Sequence, residues 1–233
     1  MKYNVDRKDF NEAFNLLLDV VSKWIAEEKI KEQFSHLNTD KVQRIIYKTA
    51  TYGWYIDDFS KNSTLDLNFC LRVIYGNLPE KLDSYLVAYY DKNLLNIKNR
   101  LINRYPNRKI ILKEAFNAHS KEMYHSSICL LITQIDGICD DLLDAKFFLN
   151  KNYLPEIKEK IESKEIKYSD FLLSPISKKA IINEWEKDLE KYPVRLNRHE
   201  IIHGKDVFYG DRINSFKVIS MISYIDYILT HFD

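Results

Sequence analysis

Glycine and proline are scarce, five of each in 233 residues, about a third of their usual combined share. So few turn-formers argue against a sandwich or barrel of many short strands. They also argue against a glycine-rich phosphate loop. Cysteine is rarer still: Cys70, Cys129 and Cys139 are too few and too dispersed for a disulfide framework or a zinc ribbon. No run of uncharged apolar residues approaches the length of a membrane span. The opening MKYNVDRKDFNEAF has neither the apolar core nor the small-residue cleavage site of a signal peptide. The expectation is a soluble protein of a reducing cytoplasm. Neither sign of charge dominates, with Lys+Arg 35 against Asp+Glu 34 and a formal net charge of +1. Whole-chain charge therefore names no partner, and any nucleic-acid surface would be a local patch.

What the chain does have is a 45% hydrophobic, 30% charged composition with helical spacing nearly throughout. Phe10, Phe14, Leu17, Leu18, Val21, Trp24 and Ile25 recur at three and four. A second helix is expected after Asn38 or Thr39, both good N-caps, and it runs into aromatics around Trp54. A third is expected over 65–75, ending at Gly76-Asn77, and a fourth from Pro79, which suits a first turn. Tyr105-Pro106-Asn107 breaks the pattern, because a residue before proline is pushed out of helical geometry. This is the expected boundary between a helical N-terminal region, 1–107, and a second domain, 108–233. Beyond it the periodicity is longest over 110–148, with Met123 placed on its apolar side. A charged segment over 156–167 reads as a solvated helix face. A helix ending near Pro193, a short helical turn in RLNRHEIIH, and a last helix over 214–232 capped by Asn214 complete the reading. No strand is convincing, and the fold class is all-α.

The densest polar site is RLNRHEIIHG, residues 195–204. Arg198 is followed by the polar His199 and, at the fifth position, by His203. An imidazole titrates near neutral pH and can shuttle a proton. A guanidinium keeps its charge and can hold two phosphate oxygens at once. Together they are the minimum set for cutting a phosphodiester without a metal. The bare Arg-to-His spacing arises about 0.7 times by chance in such a composition, and about 0.04 times once the gap and the polar second residue are fixed. The same letters also spell His199-Glu200-x-x-His203, a zinc-hydrolase pattern with Glu200 as base. Asp226 or His231 is then the candidate third ligand. That reading wants a helix packed beside a sheet, which the sequence does not offer, and Gly204 ends the helix early.

Residues 195–228 resemble the C-terminal part of HEPN-domain proteins, a prokaryotic all-α superfamily directed at nucleotides and RNA. Its signature is Arg, a polar residue, then His four to six positions beyond the Arg, and Arg198, His199 and His203 match it. The segment YHSSICLLITQIDGICDDLL, residues 124–143, is similar to the family's first core helix, with Asp136 as its acidic member. The resemblance spans about residues 110–233. It implies a helical bundle that forms a homodimer, two Arg/His motifs lining one cleft, and no cofactor or metal. Many such proteins are endoribonucleases that leave a 2′,3′-cyclic phosphate, often as toxins held by an antitoxin or as phage-defence effectors. Others are silent dimerisation or nucleotide-binding modules, which is the alternative reading for this chain.

In the nuclease reading Arg198 and His203 are catalytic, and His199, Asn197 and Asp136 support them. The stretch KNRLINRYPNRKIILK, residues 98–113, holds six basic residues and no acidic one. It nominates Arg100, Arg104, Arg108 and Lys109, with Lys205 near the motif, as RNA-phosphate contacts. A solvated connection is the competing account of that stretch. His119 and His125 lie on different helix faces and read as ordinary, and Tyr209 as a packing residue.

Overall fold

Asn38 fixes where the first described helix begins. Its side chain accepts a hydrogen bond from the Lys41 backbone N–H at 2.9 Å, satisfying one donor that a helix start leaves open. Helix α1 then runs Thr39–Thr51. The computed structural model describes residues 38–148, 150–151, 154–162, 172–176, 180–184 and 186–231, with 15, 18 and 35 singly. Of the helix expected over 10–25, residues 15 and 18 are described, both helical and with Leu18 exposed, and the rest lies outside the described residues. Asp66 caps α2 (Leu67–Tyr75) in the same way, accepting from Phe69 N at 2.9 Å. Pro79 opens α3 (Pro79–Arg104).

The helical pattern does break at Tyr105-Pro106-Asn107. A single 3-10 turn, Pro106–Arg108, joins α3 to α4 (Lys109–Ser120). Apolar residues from both sides of it, Val42 to Leu229, form one buried cluster. Helix α4 is followed by a departure from expectation. The periodic stretch over 110–148 is two helices, α4 and α5 (Tyr124–Leu143). Glu122 sits at φ 60°, with Met123 N bonded to Ala118 O at 2.9 Å and Glu122 N to His119 O at 3.0 Å. These are the two bonds of a helix-ending motif whose left-handed position usually holds glycine. Met123 is consequently exposed, not on the core side.

After α5, Asn150–Lys151 (β1) pairs antiparallel with Leu154–Pro155 (β2), the one strand pair among the described residues. Helix α6 (Glu156–Glu162) follows and buries Ile157 and Ile161 completely. The expected solvated run therefore has an apolar edge. Where a helix ending near Pro193 was expected, the described residues form three short 3-10 turns, Ser174–Ile176, Ile181–Asn183 and Glu186–Lys191. Helix α7 is short, Arg198–Ile202, and Gly204 at φ 68° follows it. The last helix, α8, runs Arg212–His231. Asp211, not Asn214, caps it, accepting from Asn214 N at 2.7 Å.

Packing closes a ring of four helices: α3 on α4, α4 on α5, α5 on α8, and α8 back on α3. Every residue of α8 from Asn214 to Asp226 is buried, the pattern of a central helix. The fold is all-α, and no helix among the described residues is long and apolar enough to cross a membrane.

Among the described residues two buried side-chain atoms lack a hydrogen-bond partner, Arg198 Nε and the Tyr55 hydroxyl. Burial pushes that phenol far above its ordinary range. An unmet buried hydroxyl costs about 1–3 kcal/mol, so Tyr55→Phe is expected to raise stability by about 1 kcal/mol. Thermal and urea unfolding check this, and a loss of stability would show that the hydroxyl has a partner.

His119 packs edge-on against Tyr124 and Phe216, with its Nδ1 2.7 Å from Ser215 Oγ. Burial pushes its pKa down to about 4, helped by Arg212. The folded value lies below the unfolded one, near 6.5, so the unfolded chain takes up the proton first. Stability from the neutral ring is full above about pH 6.5 and is lost as pH falls towards 4. By linkage, about 2 kcal/mol disappears between pH 7.5 and 5. The stability gap between the wild type and His119→Gln should therefore shrink by that much over this interval. A constant gap would rule out a neutral buried imidazole.

Candidate functional site at helix α7

Asn197 builds the start of α7. It is buried, and its Oδ1 accepts from the N–H groups of His199 at 2.9 Å and Glu200 at 3.2 Å. Its Nδ2 donates to Ile181 O and Glu184 O, both at 2.8 Å. All four bonds an amide can make are made, so Asn197 is a structural support for the motif and does not face a ligand. It ties the helix start to the 3-10 segment before it and sets the direction in which Arg198 leaves the backbone.

Arg198 is half-buried. Its guanidinium carbon lies 4.9 Å from the centre of the Phe148 ring, a cation–π distance. One terminal nitrogen, Nη2, donates to Phe148 O at 3.5 Å and to His199 Nε2 at 3.4 Å, both at the outer limit of hydrogen bonding. Its Nε is buried and has no partner among the described residues. No carboxylate among them lies within ion-pairing distance. Burial lowers its pKa, and the charge of Asp136 works against that shift. Asp136 also holds the platform: its Oδ1 accepts from Phe148 N at 3.0 Å. The support that the sequence assigned to Asp136 is therefore indirect, passing through Phe148.

His199 follows Arg198 in a row. Burial lowers its pKa, reinforced by Arg198, His203 and Lys205. The rings of His199 and His203 are parallel within 8°, their centres 6.2 Å apart. His203 ends the helix, bonding its N–H to His199 O at 3.1 Å, and its side chain is exposed. On a regular helix positions five apart diverge by about 140°. Here His199 fills the space between the two ends of the motif, so one chain presents a continuous row of guanidinium and two imidazoles.

Glu200 points elsewhere. It is buried, and both its oxygens are taken by Arg195, at 2.9 Å from Nε and from Nη2. The zinc pattern needs that carboxylate beside the two histidines. Its nominated third ligand, Asp226, is buried and bonded to Arg100, Arg104 and Tyr105, while the His231 side chain lies outside the described residues. No cluster of three metal-capable side chains occurs among the described residues. The donor set does not fit the zinc reading.

In the basic stretch the arginines have partners within the chain. Arg100 Nε lies 2.8 Å from Asp226 Oδ2, and Arg104 Nη1 2.7 Å from Asp226 Oδ1. Arg108 pairs with Asp141 at 2.8 Å and donates to Gly137 O at 2.7 Å and Gln134 Oε1 at 3.2 Å. A Cβ at Gly137 would stand 2.2 Å from that guanidinium, so glycine is what lets it lie across α5. These three arginines tie separate parts of the chain together through acids and carbonyls. Lys109 and Lys205 are exposed. Lys205 N and Asp206 N bond to Glu200 O at 2.8 and 3.2 Å, which brings the following loop back over α7. His125 holds that loop, bonding Val207 O at 3.2 Å and stacking edge-on with Tyr209 at 4.8 Å.

Two clefts, of about 640 and 410 Å³, share Glu190, Tyr192 and Pro193. The second reaches Arg195 and Glu200, but neither includes Arg198, His199 or His203. Along the row of the motif exposure rises from the half-buried Arg198 and His199 to the exposed His203. Sequence reasoning missed Phe148 and Arg195. The first meets its arginine across 50 positions with no local signal, and the second pairs with Glu200 five residues away.

No family model matches the chain, and no curated protein or solved structure matches it either.

Proposed function

We propose that the chain is a metal-independent endoribonuclease of the HEPN type, working in a toxin–antitoxin or phage-defence setting. The observation that carries the proposal is Arg198: a half-buried guanidinium with no carboxylate at ion-pairing distance among the described residues, beside two parallel imidazoles. An uncompensated cation is unfavourable in such surroundings unless an anion completes it, and a phosphodiester supplies one. The 2′-hydroxyl attacks the neighbouring phosphate, and Arg198 stabilises the charge of the pentacoordinate transition state. His203 serves acid–base chemistry, assisted by His199.

The site is read as composite, with two copies meeting across a two-fold axis, the commonest oligomer symmetry. Ile202 at the end of α7, and Val207 and Phe208 in the loop after it, are exposed, the last to 88%. Such apolar surface suits contact with a second copy.

The test is cleavage of mixed RNA by the wild type and His203→Ala, with excess EDTA present throughout. Cleavage by the wild type alone, leaving cyclic-phosphate and 5′-hydroxyl ends, is the expected result. No cleavage by either folded, dimeric protein would favour the silent dimerisation or nucleotide-binding module instead.

A further inference from the structure

We infer that His199 is a catalytic residue in its own right, the general base that takes the 2′-hydroxyl proton, while His203 is the acid. The inference rests on the nuclease reading and divides between two imidazoles the work assigned above mainly to one.

Three observations carry it. A guanidinium has no lone pair to offer, so the contact of Arg198 Nη2 with His199 Nε2 at 3.4 Å makes Nε2 the acceptor and places the ring proton on Nδ1. The basic nitrogen of His199 therefore already points at the cation that would hold the phosphate. Second, burial lowers the His199 pKa, and the charges of Arg198, His203 and Lys205 act in the same direction, while Asp136 across on α5 acts on Arg198. That surrounding favours the neutral imidazole, the form a base needs. Third, the rings of His199 and His203 lie parallel with their centres 6.2 Å apart. Two imidazoles so close resist carrying two protons at once, and His203 is the ring of the pair that is open to solvent.

The step balances without a co-reactant. The 2′-O–H proton passes to His199 Nε2 as the 2′-O–P bond forms. The P–O5′ bond breaks as His203 gives its proton to the departing O5′. Arg198 neutralises the non-bridging oxygens throughout. The enzyme is left with His199 protonated and His203 neutral, and exchange with water restores the starting pair.

The experiment compares the wild type, His199→Gln and His203→Gln on two probes: the dinucleotide uridylyl-adenosine, and uridine 3′-(4-nitrophenyl) phosphate, whose leaving group departs without a proton. Circular dichroism establishes that each variant is folded. On the dinucleotide both variants should lose about 10²–10⁴-fold in kcat/KM. On the nitrophenyl ester His203→Gln should recover to within about tenfold of the wild type, whereas His199→Gln should stay about 10²-fold down or worse. The wild-type profile should rise with pH as His199 loses its proton, and that limb should vanish in His199→Gln. Equal activity of His199→Gln and wild type on both probes overturns the inference and leaves the nuclease reading standing. So does rescue of His199→Gln by the nitrophenyl group, which would make it the acid. A wild type inactive on both probes and on mixed RNA overturns the nuclease reading and the inference with it.

Discussion

Arg100→Met is expected to cost the fold about 3–5 kcal/mol, with any loss of RNA binding following from unfolding. The guanidinium bridges two acids that come from distant parts of the chain. Its Nε meets Asp226 at 2.8 Å and its Nη2 meets Asp57 at 3.4 Å, with Ser223 Oγ as a further acceptor. The Asp57 and Asp226 side chains are 7% and 1% exposed. Asp226 would keep Arg104 and the Tyr105 hydroxyl, but Asp57 would keep only neutral partners, Ser223 and Tyr90. Burial already raises the Asp57 pKa, against the lowering effects of Ser223, Arg100 and Tyr90. Without Arg100 it rises further. A carboxyl with a raised folded pKa stabilises most below its unfolded value, and that contribution is lost as pH rises through the folded pKa. The deficit of Arg100→Met should therefore be larger at pH 8 than at pH 5.5. Since whole domains hold only about 5–15 kcal/mol, the variant should unfold at markedly lower urea. Wild-type stability at both pH values, combined with weaker RNA binding, would instead return Arg100 to the role that the sequence suggests.

That contrast explains what could be read along the chain. Helix starts were legible because their determinants are local: Asn38 and Asp66 as caps and Pro79 in a first turn. The motif from Asn197 to His203 was legible for the same reason, its residues being neighbours. The partners of the basic stretch over 98–113 were not legible, because its neutralising acids, Asp226 and Asp141, arrive from other helices. Phe148 was invisible because its contact with Arg198 spans 50 positions. The division of the long periodic stretch failed at Glu122, a left-handed position without glycine. A side chain other than glycine tolerates that conformation at a cost of about 1–2 kcal/mol, and no residue type announced it. The 3-10 turns before Pro193 carry apolar and charged residues at spacings that a helix would also use.

Arg198→Lys is expected to lower kcat about 10²–10³-fold while leaving stability unchanged or improved. Lysine keeps the charge but cannot present two parallel N–H donors to phosphate oxygens, and it loses the planar stack on Phe148. The wild-type arginine contributes little to the fold as it stands. Its Nε is buried and unpartnered among the described residues, and its two Nη2 contacts are 3.5 and 3.4 Å long. Arg198→Met removes the unmet donor and the desolvated charge while keeping an unbranched apolar stem over the Phe148 ring. A gain of about 1 kcal/mol follows, together with loss of cleavage. Structural ties behave in the opposite way, as Arg100 does, because removing them strands buried acids. The measurement is therefore a pair, melting temperature and single-turnover cleavage on the same variants. Cleavage lost at an unchanged or higher melting temperature places Arg198 in the chemistry. Cleavage lost in step with stability would make it one more helix tie.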